Sequence, residues 1–209
     1  MKENNWFDPF YIQSHLSEEE SNIQKNVRDF CNNELKPTVV ERNRKNEFDQ
    51  ELYPKFGSLG VLGQTVKTHG GSGTSNLAYG LVAYEFEKID SSYRSSISVQ
   101  SSLVIHPINE FGSQEQKDKY LPSLIKGEKI GCFGLTESEA GSDPTSMKTS
   151  FKKTKDGYIL NGSKNWITNA PIADIFIIWA IEENKDHKNI KGFIIEKDTE
   201  GLKTSTIEN

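Results

Sequence analysis

The sequence predicts an α+β chain in two parts, a helical N-terminal domain over residues 1–128 and a β domain over residues 129–209. Three observations predict it. Before Lys129 the apolar residues recur at helical spacing. After it come five short segments rich in β-branched and aromatic residues, separated by Gly, Asn or Asp. The two patterns do not alternate, so βαβ units are not expected.

Ser17 opens the first helix. Glu20 stands three residues on, as in a capping box, and Ile23, Val27, Phe30, Cys31 and Leu35 follow at helical spacing. Pro37 marks its end region. A short helix starts at Pro54 and stops in "GSLGVLG", with Gly57 as a weak point inside it. The glycine-rich "KTHGGSGTSN" is expected to be a flexible connection. Ala78, Leu81, Val82, Phe86 and Ile89 then share one helical face. "SSYRSSISVQSSLVIH" has poor helix propensity but meets no Gly or Pro until Pro107, and is predicted as a helix whose serines allow close packing. Ser113 with Gln116 repeats the capping-box spacing and opens a helix to about Lys126. The strand segments are "KIGCFGLTE", "TSFKKTK", "YILNGSKNWIT", "ADIFIIWAI" and "IKGFIIEKD". "KDGY" joins two of them, since Asp-Gly supplies the positive φ angles of a tight hairpin. A five-stranded open sheet leaves edges that another domain or further chain is expected to cover.

Composition narrows the function. With 34% hydrophobic and 26% charged residues, a soluble globular protein is expected. The net charge of −5 argues against a nucleic-acid partner. No apolar run approaches the roughly 18 residues that span a bilayer, so no membrane insertion is expected. Met1–Phe10 has neither the apolar centre of a signal peptide nor the Arg/Ser richness of a transit peptide. A cytoplasmic protein is expected on that ground, in a bacterium, or a mitochondrial matrix protein if a eukaryotic leader has been removed. Cys31 and Cys132 stand far apart in apolar company, as reduced interior thiols do. His15, His69, His106 and His187 show no metal-ligand spacing, so no metal is expected.

Three stretches carry candidate chemistry. "CFGLTESEAGSDPTSM" leaves a strand for a polar loop in which backbone N–H groups near Thr136 and the Gly141-Ser142 turn can face a ligand. That loop suits a pyrophosphate or the polar edge of a heterocycle; the plainer reading is a solvated connection. In "LNGSKNWITNAP", Trp166 precedes Ile167 and Thr168, so an indole beside a hydroxyl could flank a flat aromatic cofactor; the plainer reading is a core tryptophan. In "EFEKIDSSYRSSISVQ", Arg94 sits among small polar residues and can bind an anion with its planar fork; the plainer reading is a surface pair with Glu87.

"GCFGLTESEAGSD" followed by "YILNGSKNWITNAPIADIFIIWA" resembles the acyl-CoA dehydrogenase family of flavoproteins, and the resemblance covers essentially the whole chain. Within it, "FEKIDSSYRSSISVQSSLVIHPINEFGSQEQKDKYLPSLIKGE" looks like the glutaryl-CoA dehydrogenase branch. The resemblance implies a helical domain, an antiparallel barrel-like β domain and a C-terminal four-helix domain, the last lacking here. It implies FAD as cofactor. Phe133, Gly134, Leu135 and Thr136 fall on the segment at the flavin pyrimidine edge, and Ser142 falls near both cofactor and thioester arm. Trp166, Ile167 and Thr168 fall along the flavin ring, with Asn169 and Ala170 continuing that wall. Arg94, with Ser95 and Ser98 beside it, falls where the distal carboxylate of the substrate is received, and Glu87 is its acidic neighbour. A buried guanidinium is expected there.

The implied reaction is α,β-dehydrogenation of glutaryl-CoA with decarboxylation to crotonyl-CoA, electrons passing to an electron-transfer flavoprotein in a homotetrameric enzyme. The catalytic base of the family is a glutamate of the C-terminal domain, so no catalytic residue is expected in this chain, which alone should be nearly inactive. Where proline commonly follows the Glu of "TE", Ser138 stands here, which should loosen that turn. An acyl-CoA oxidase, another acyl-CoA dehydrogenase, or a truncated non-catalytic binding or assembly module are the rival readings.

Overall fold

Ser17 caps the first helix as its spacing predicts. In the computed structural model, which describes residues 8–183 and 189–206, its hydroxyl accepts from the Glu20 N–H and the Glu20 carboxylate accepts from the Ser17 N–H. Helix α1 (Glu18–Phe30) runs on into a π-helical turn, Cys31–Leu35, that buries Cys31 and Leu35. The stretch read for a leader lies largely, and His187 wholly, outside the described residues.

Helix α2 (Val39–Lys45) was not expected. It buries no side chain and ends at Asn46 in a left-handed conformation, so no apolar stripe announced it. Helix α3 (Leu52–Ser58) buries Leu52, Tyr53 and Phe56. Its Gly57 is a packing requirement rather than a weakness. A Cβ there would lie 2.1 Å from the Lys126 carbonyl oxygen, because two backbones cross at that point. Gly57→Ala should therefore cost about 2 kcal/mol in chemical denaturation, where a merely tolerated helix glycine would gain stability.

Helix α4 (Asn76–Glu87) is capped by Ser75, and α5 (Ser91–Ser98) by Asp90. The predicted stop at Pro107 does not occur. A π-helical segment, Val99–Ile105, carries the chain from α5 into α6 (His106–Phe111), with Pro107 in the first turn of that helix. Helix α7 (Gln114–Ile125) has the predicted Ser113–Gln116 capping box. The helices close on an aromatic cluster in which Phe56 meets Phe30 edge-on at 6.0 Å and Phe86 at 5.3 Å. The glycine-rich loop before α4 is pinned by Gly73 N–H to Val66 and Thr74 N–H to Gln64 backbone bonds. None of the described helices is long and apolar enough to cross a membrane.

All five predicted strand segments hold a strand: β1 (Gly131–Gly134), β2 (Ser150–Lys153), β3 (Tyr158–Asn161), β4 (Ile175–Glu182) and β5 (Ile190–Glu196). The third is cut short at Asn161, which frees the Trp166 segment as a loop. The sheet is neither closed nor wholly antiparallel. β4 is its centre, with β5 antiparallel on one edge. The other edge carries β1 and then β2, both parallel to β4. Parallel pairing follows from connectivity: long excursions separate β1 and β2 from β4, whereas β2–β3 close tightly through Asp156-Gly157. Ile175 and Ile177 of β4 pack into the same core as Val104 and Ile105, which joins sheet to helices.

Candidate functional site

The loops leaving β1 and β3 lie side by side. The Asn165 N–H donates to the Thr136 carbonyl at 2.9 Å, and Lys164 Nζ donates to the Leu135 carbonyl at 2.9 Å. Lys164 also reaches Glu137 Oε1 at 2.8 Å, with both side chains buried. Glu137 accepts two further bonds, from the Lys148 and Thr149 N–H groups at 2.7 and 2.9 Å. Three loop segments thus converge on one carboxylate. Burial pushes the Glu137 carboxyl up, but bonds from Lys164, Thr149 and Lys148 outweigh it and hold the group down at about 2. Sequence reading passed over this pair; its signal is an acid directly after Thr136 and a single base two residues before Trp166, each in a polar loop. The turn that Ser138 was expected to loosen is closed by reciprocal backbone bonds between Glu137 and Ala140.

On this clamped base Trp166 stands out into solvent, with 73% of its surface exposed. It is not a core tryptophan. Its φ is 62° and that of Asn169 is 70°, so two left-handed residues bracket Ile167 and Thr168. Ile167 and Ala170 turn inward onto Cys132, Ala173 and Phe176. Thr168 stays exposed. Asn169 Nδ2 donates to the Gly131 carbonyl at 3.1 Å. Phe133 is half-buried with its ring edge-on to Trp179, and Gly134 is buried against Ile178. Ser142 lies exposed in its loop. Among the described residues, no hydrogen bond uses the N–H groups of Thr136, Trp166, Ile167 or Thr168, nor the hydroxyls of Thr136 and Thr168. Unused donors beside an exposed indole, on loops held rigid from below, fit a flat heterocycle rich in acceptors.

The helical part carries the other predicted group. Arg94 Nε donates to Glu87 Oε2 at 2.7 Å, and Glu87 also accepts from the Ser91 hydroxyl. Those two donors hold the Glu87 carboxyl below its ordinary range. The expected burial is absent: 38% of the Arg94 side chain is exposed, because Glu87 draws it along the helix surface. Glu87 occupies Nε alone, and neither terminal nitrogen of Arg94 has a partner among the described residues. That free edge is the part of a guanidinium that binds a carboxylate in bidentate fashion. Ser95 and Ser98 are half-buried beside it. No described hydrogen bond joins Arg94 to the Trp166 loop. Among the described residues no cluster of His, Cys, Asp or Glu is placed to hold a metal.

Residues 17–128 match the profile of the acyl-CoA dehydrogenase N-terminal domain, and residues 132–209 that of the acyl-CoA dehydrogenase middle domain. A short-chain-specific acyl-CoA dehydrogenase of Clostridium acetobutylicum is 39% identical over 196 residues, covering 93% of this chain and 52% of the relative. A mitochondrial isovaleryl-CoA dehydrogenase of Pongo abelii is 40% identical over 196 residues, covering 91% and 46%. The crystal structure of a glutaryl-CoA dehydrogenase of Mycobacterium smegmatis in complex with FADH2 superposes with a TM-score of 0.91 at 40% identity, covering 95% of this chain and 50% of that one. The chain spans about half the length of the curated relatives it matches.

Proposed function

The chain belongs to the acyl-CoA dehydrogenase family, and from that premise we propose that it supplies the FAD- and acyl-facing surfaces of an enzyme that oxidises the α,β bond of glutaryl-CoA. The observation that carries the cofactor reading is the set of unused donors at Thr136, Trp166, Ile167 and Thr168 beside the exposed indole. Thr136 and Thr168 would hold the polar edge of the FAD ring and Trp166 its face. Phe133, Gly134 and Leu135 shape the strand end beneath, and Ser142 faces the phosphate-bearing part. Ile167, Asn169 and Ala170 support the wall. FAD bound there supplies the acceptor for the hydride leaving the β carbon.

The residues of this chain position the substrate. The free edge of Arg94, flanked by Ser95 and Ser98 and oriented by Glu87, takes the distal carboxylate. That fixes one end of the acyl chain and leaves the thioester end toward the ring. The α-proton acceptor is the family's carboxylate in the C-terminal domain, outside the residues assigned here. Loss of CO2 to crotonyl-CoA, transfer of electrons to an electron-transfer flavoprotein and assembly as a homotetramer complete the reading. A second reading, a short or branched monocarboxylic acyl chain, is favoured by the short-chain and isovaleryl relatives at equal identity. Arg94 tips the balance to the dicarboxylic one.

FAD titration of the chain tests the cofactor half. Trp166→Gly keeps the left-handed backbone and removes the ring. It should weaken FAD binding ~10-fold, the scale of one lost aromatic stack, and leave the melting temperature unchanged or higher. Equal FAD affinity in both proteins would remove Trp166 from the site.

A further inference from the structure

Gln100 is fully buried, and its side-chain amide is committed on every side. Nε2 donates to the Leu124 and Lys129 carbonyls at 2.9 Å each, and Oε1 accepts from the Gly131 N–H at 2.7 Å. An amide held at three points, away from water, has no second orientation available without leaving a buried polar group unpaired. Gly131 is gripped from the other side as well, since its carbonyl accepts from Asn169 Nδ2. It also lies so close to the helix that a Cβ would sit 2.5 Å from Val104 Cγ1. Asn169 directly follows Thr168 and closes the loop with its left-handed backbone.

The two ends of this chain of contacts are the two halves of the proposed site. Gln100 lies two residues beyond Ser98, on the continuous helix that carries Arg94 and Ser95. The π-helical widening there places Gln100 and Ser101 in the interior side by side while Ser95 and Ser98 stay half-exposed. Ser101 is spent on Val61 and Gly63, leaving Gln100 to face the sheet. We propose that Gln100, Gly131 and Asn169 form a spacer that fixes the separation between the Arg94–Ser98 helix face and the Trp166–Thr168 platform. Gln100 and Asn169 are then positioning residues: they hold the anion-binding and ring-binding surfaces in register. This inference rests on the proposed function for its purpose, but the separation itself is measurable without substrate or cofactor.

The test is a distance between nitroxide labels at Ser95→Cys and Thr168→Cys, read by double electron–electron resonance. The native thiols do not compete, because Cys31 and Cys132 are buried and burial pushes both up to about 12. Asn169→Gly accepts the left-handed backbone and deletes only the amide. The doubly labelled parent should give one narrow distribution, and Asn169→Gly should broaden it roughly twofold, as expected of a loop released to move, with the melting transition still cooperative. A distribution as narrow as the parent's, in a folded Asn169→Gly protein, overturns the spacer. Gln100→Met keeps the buried volume and should broaden it too; if that variant does not fold, Asn169→Gly still decides. Failure here leaves the Arg94 assignment standing, since that is tested by ligand discrimination.

Discussion

Lys164→Met is expected to lower the free energy of unfolding by ~3–5 kcal/mol, the cost of stranding one partner of a buried ion pair. The Glu137 carboxylate would keep two backbone donors but lose its counter-charge in a site with little water. The paired variant Glu137→Leu with Lys164→Met should recover much of the loss, because an apolar pair has no charge to strand. Urea midpoints of the parent, both single variants and the double variant measure the coupling. A coupling near zero would mean that the loops hold together without the pair.

The same group sets an acid dependence. The Glu137 carboxyl is depressed from 4.5 to about 2 in the folded chain, so the unfolded state binds the proton more readily. Its stabilisation, on the order of 3 kcal/mol, is complete above the unfolded pKa and is lost as pH falls through the folded one. Stability of the parent should therefore fall over the window from 4.5 down to about 2. Glu137→Gln should flatten that part of the urea-midpoint profile.

The second large effect is on ligand choice. Arg94→Ala is expected to weaken binding of glutaryl-CoA ~10- to 100-fold, the scale of one charge-assisted contact at a partly exposed site. Butyryl-CoA, which ends in a methyl group, should be affected little. Arg94→Lys keeps the charge but not the fork and should fall between. FAD affinity should be unchanged in both variants, because Arg94 makes no described bond to the Trp166 loop. An equal loss for both thioesters, or none for either, would transfer the assignment to a monocarboxylic chain.

Features that depend on neighbours within a few residues are written in the amino-acid order alone. Ser17 with Glu20 and Ser113 with Gln116 form capping boxes wherever a helix starts between them, and both were legible. So were the strand segments, from their β-branched residues, and the place of the Asp156-Gly157 hairpin, although Gly157 alone takes a positive φ there. The motifs around Thr136, Trp166 and Arg94 were legible as candidates because their residue types are unusual for plain loops and helices. Tertiary structure decided the rest, and in each case the deciding partner is remote in sequence. Glu137 and Lys164 are 27 residues apart, and Gln100 and Gly131 are 31 apart. Neither pair shows in a local pattern. β1 and β2 lie parallel to β4 because of where long loops return the chain, which strand composition does not encode. Helix α2 lacks the apolar stripe that marks a packed helix, and the π-helical segment hands the chain directly to α6, whose first turn accepts Pro107 where local rules predict a stop. Even the exposure of Trp166 and Arg94 depends on what the rest of the chain leaves uncovered: a side chain's chemistry is local, but its burial is a property of the whole fold.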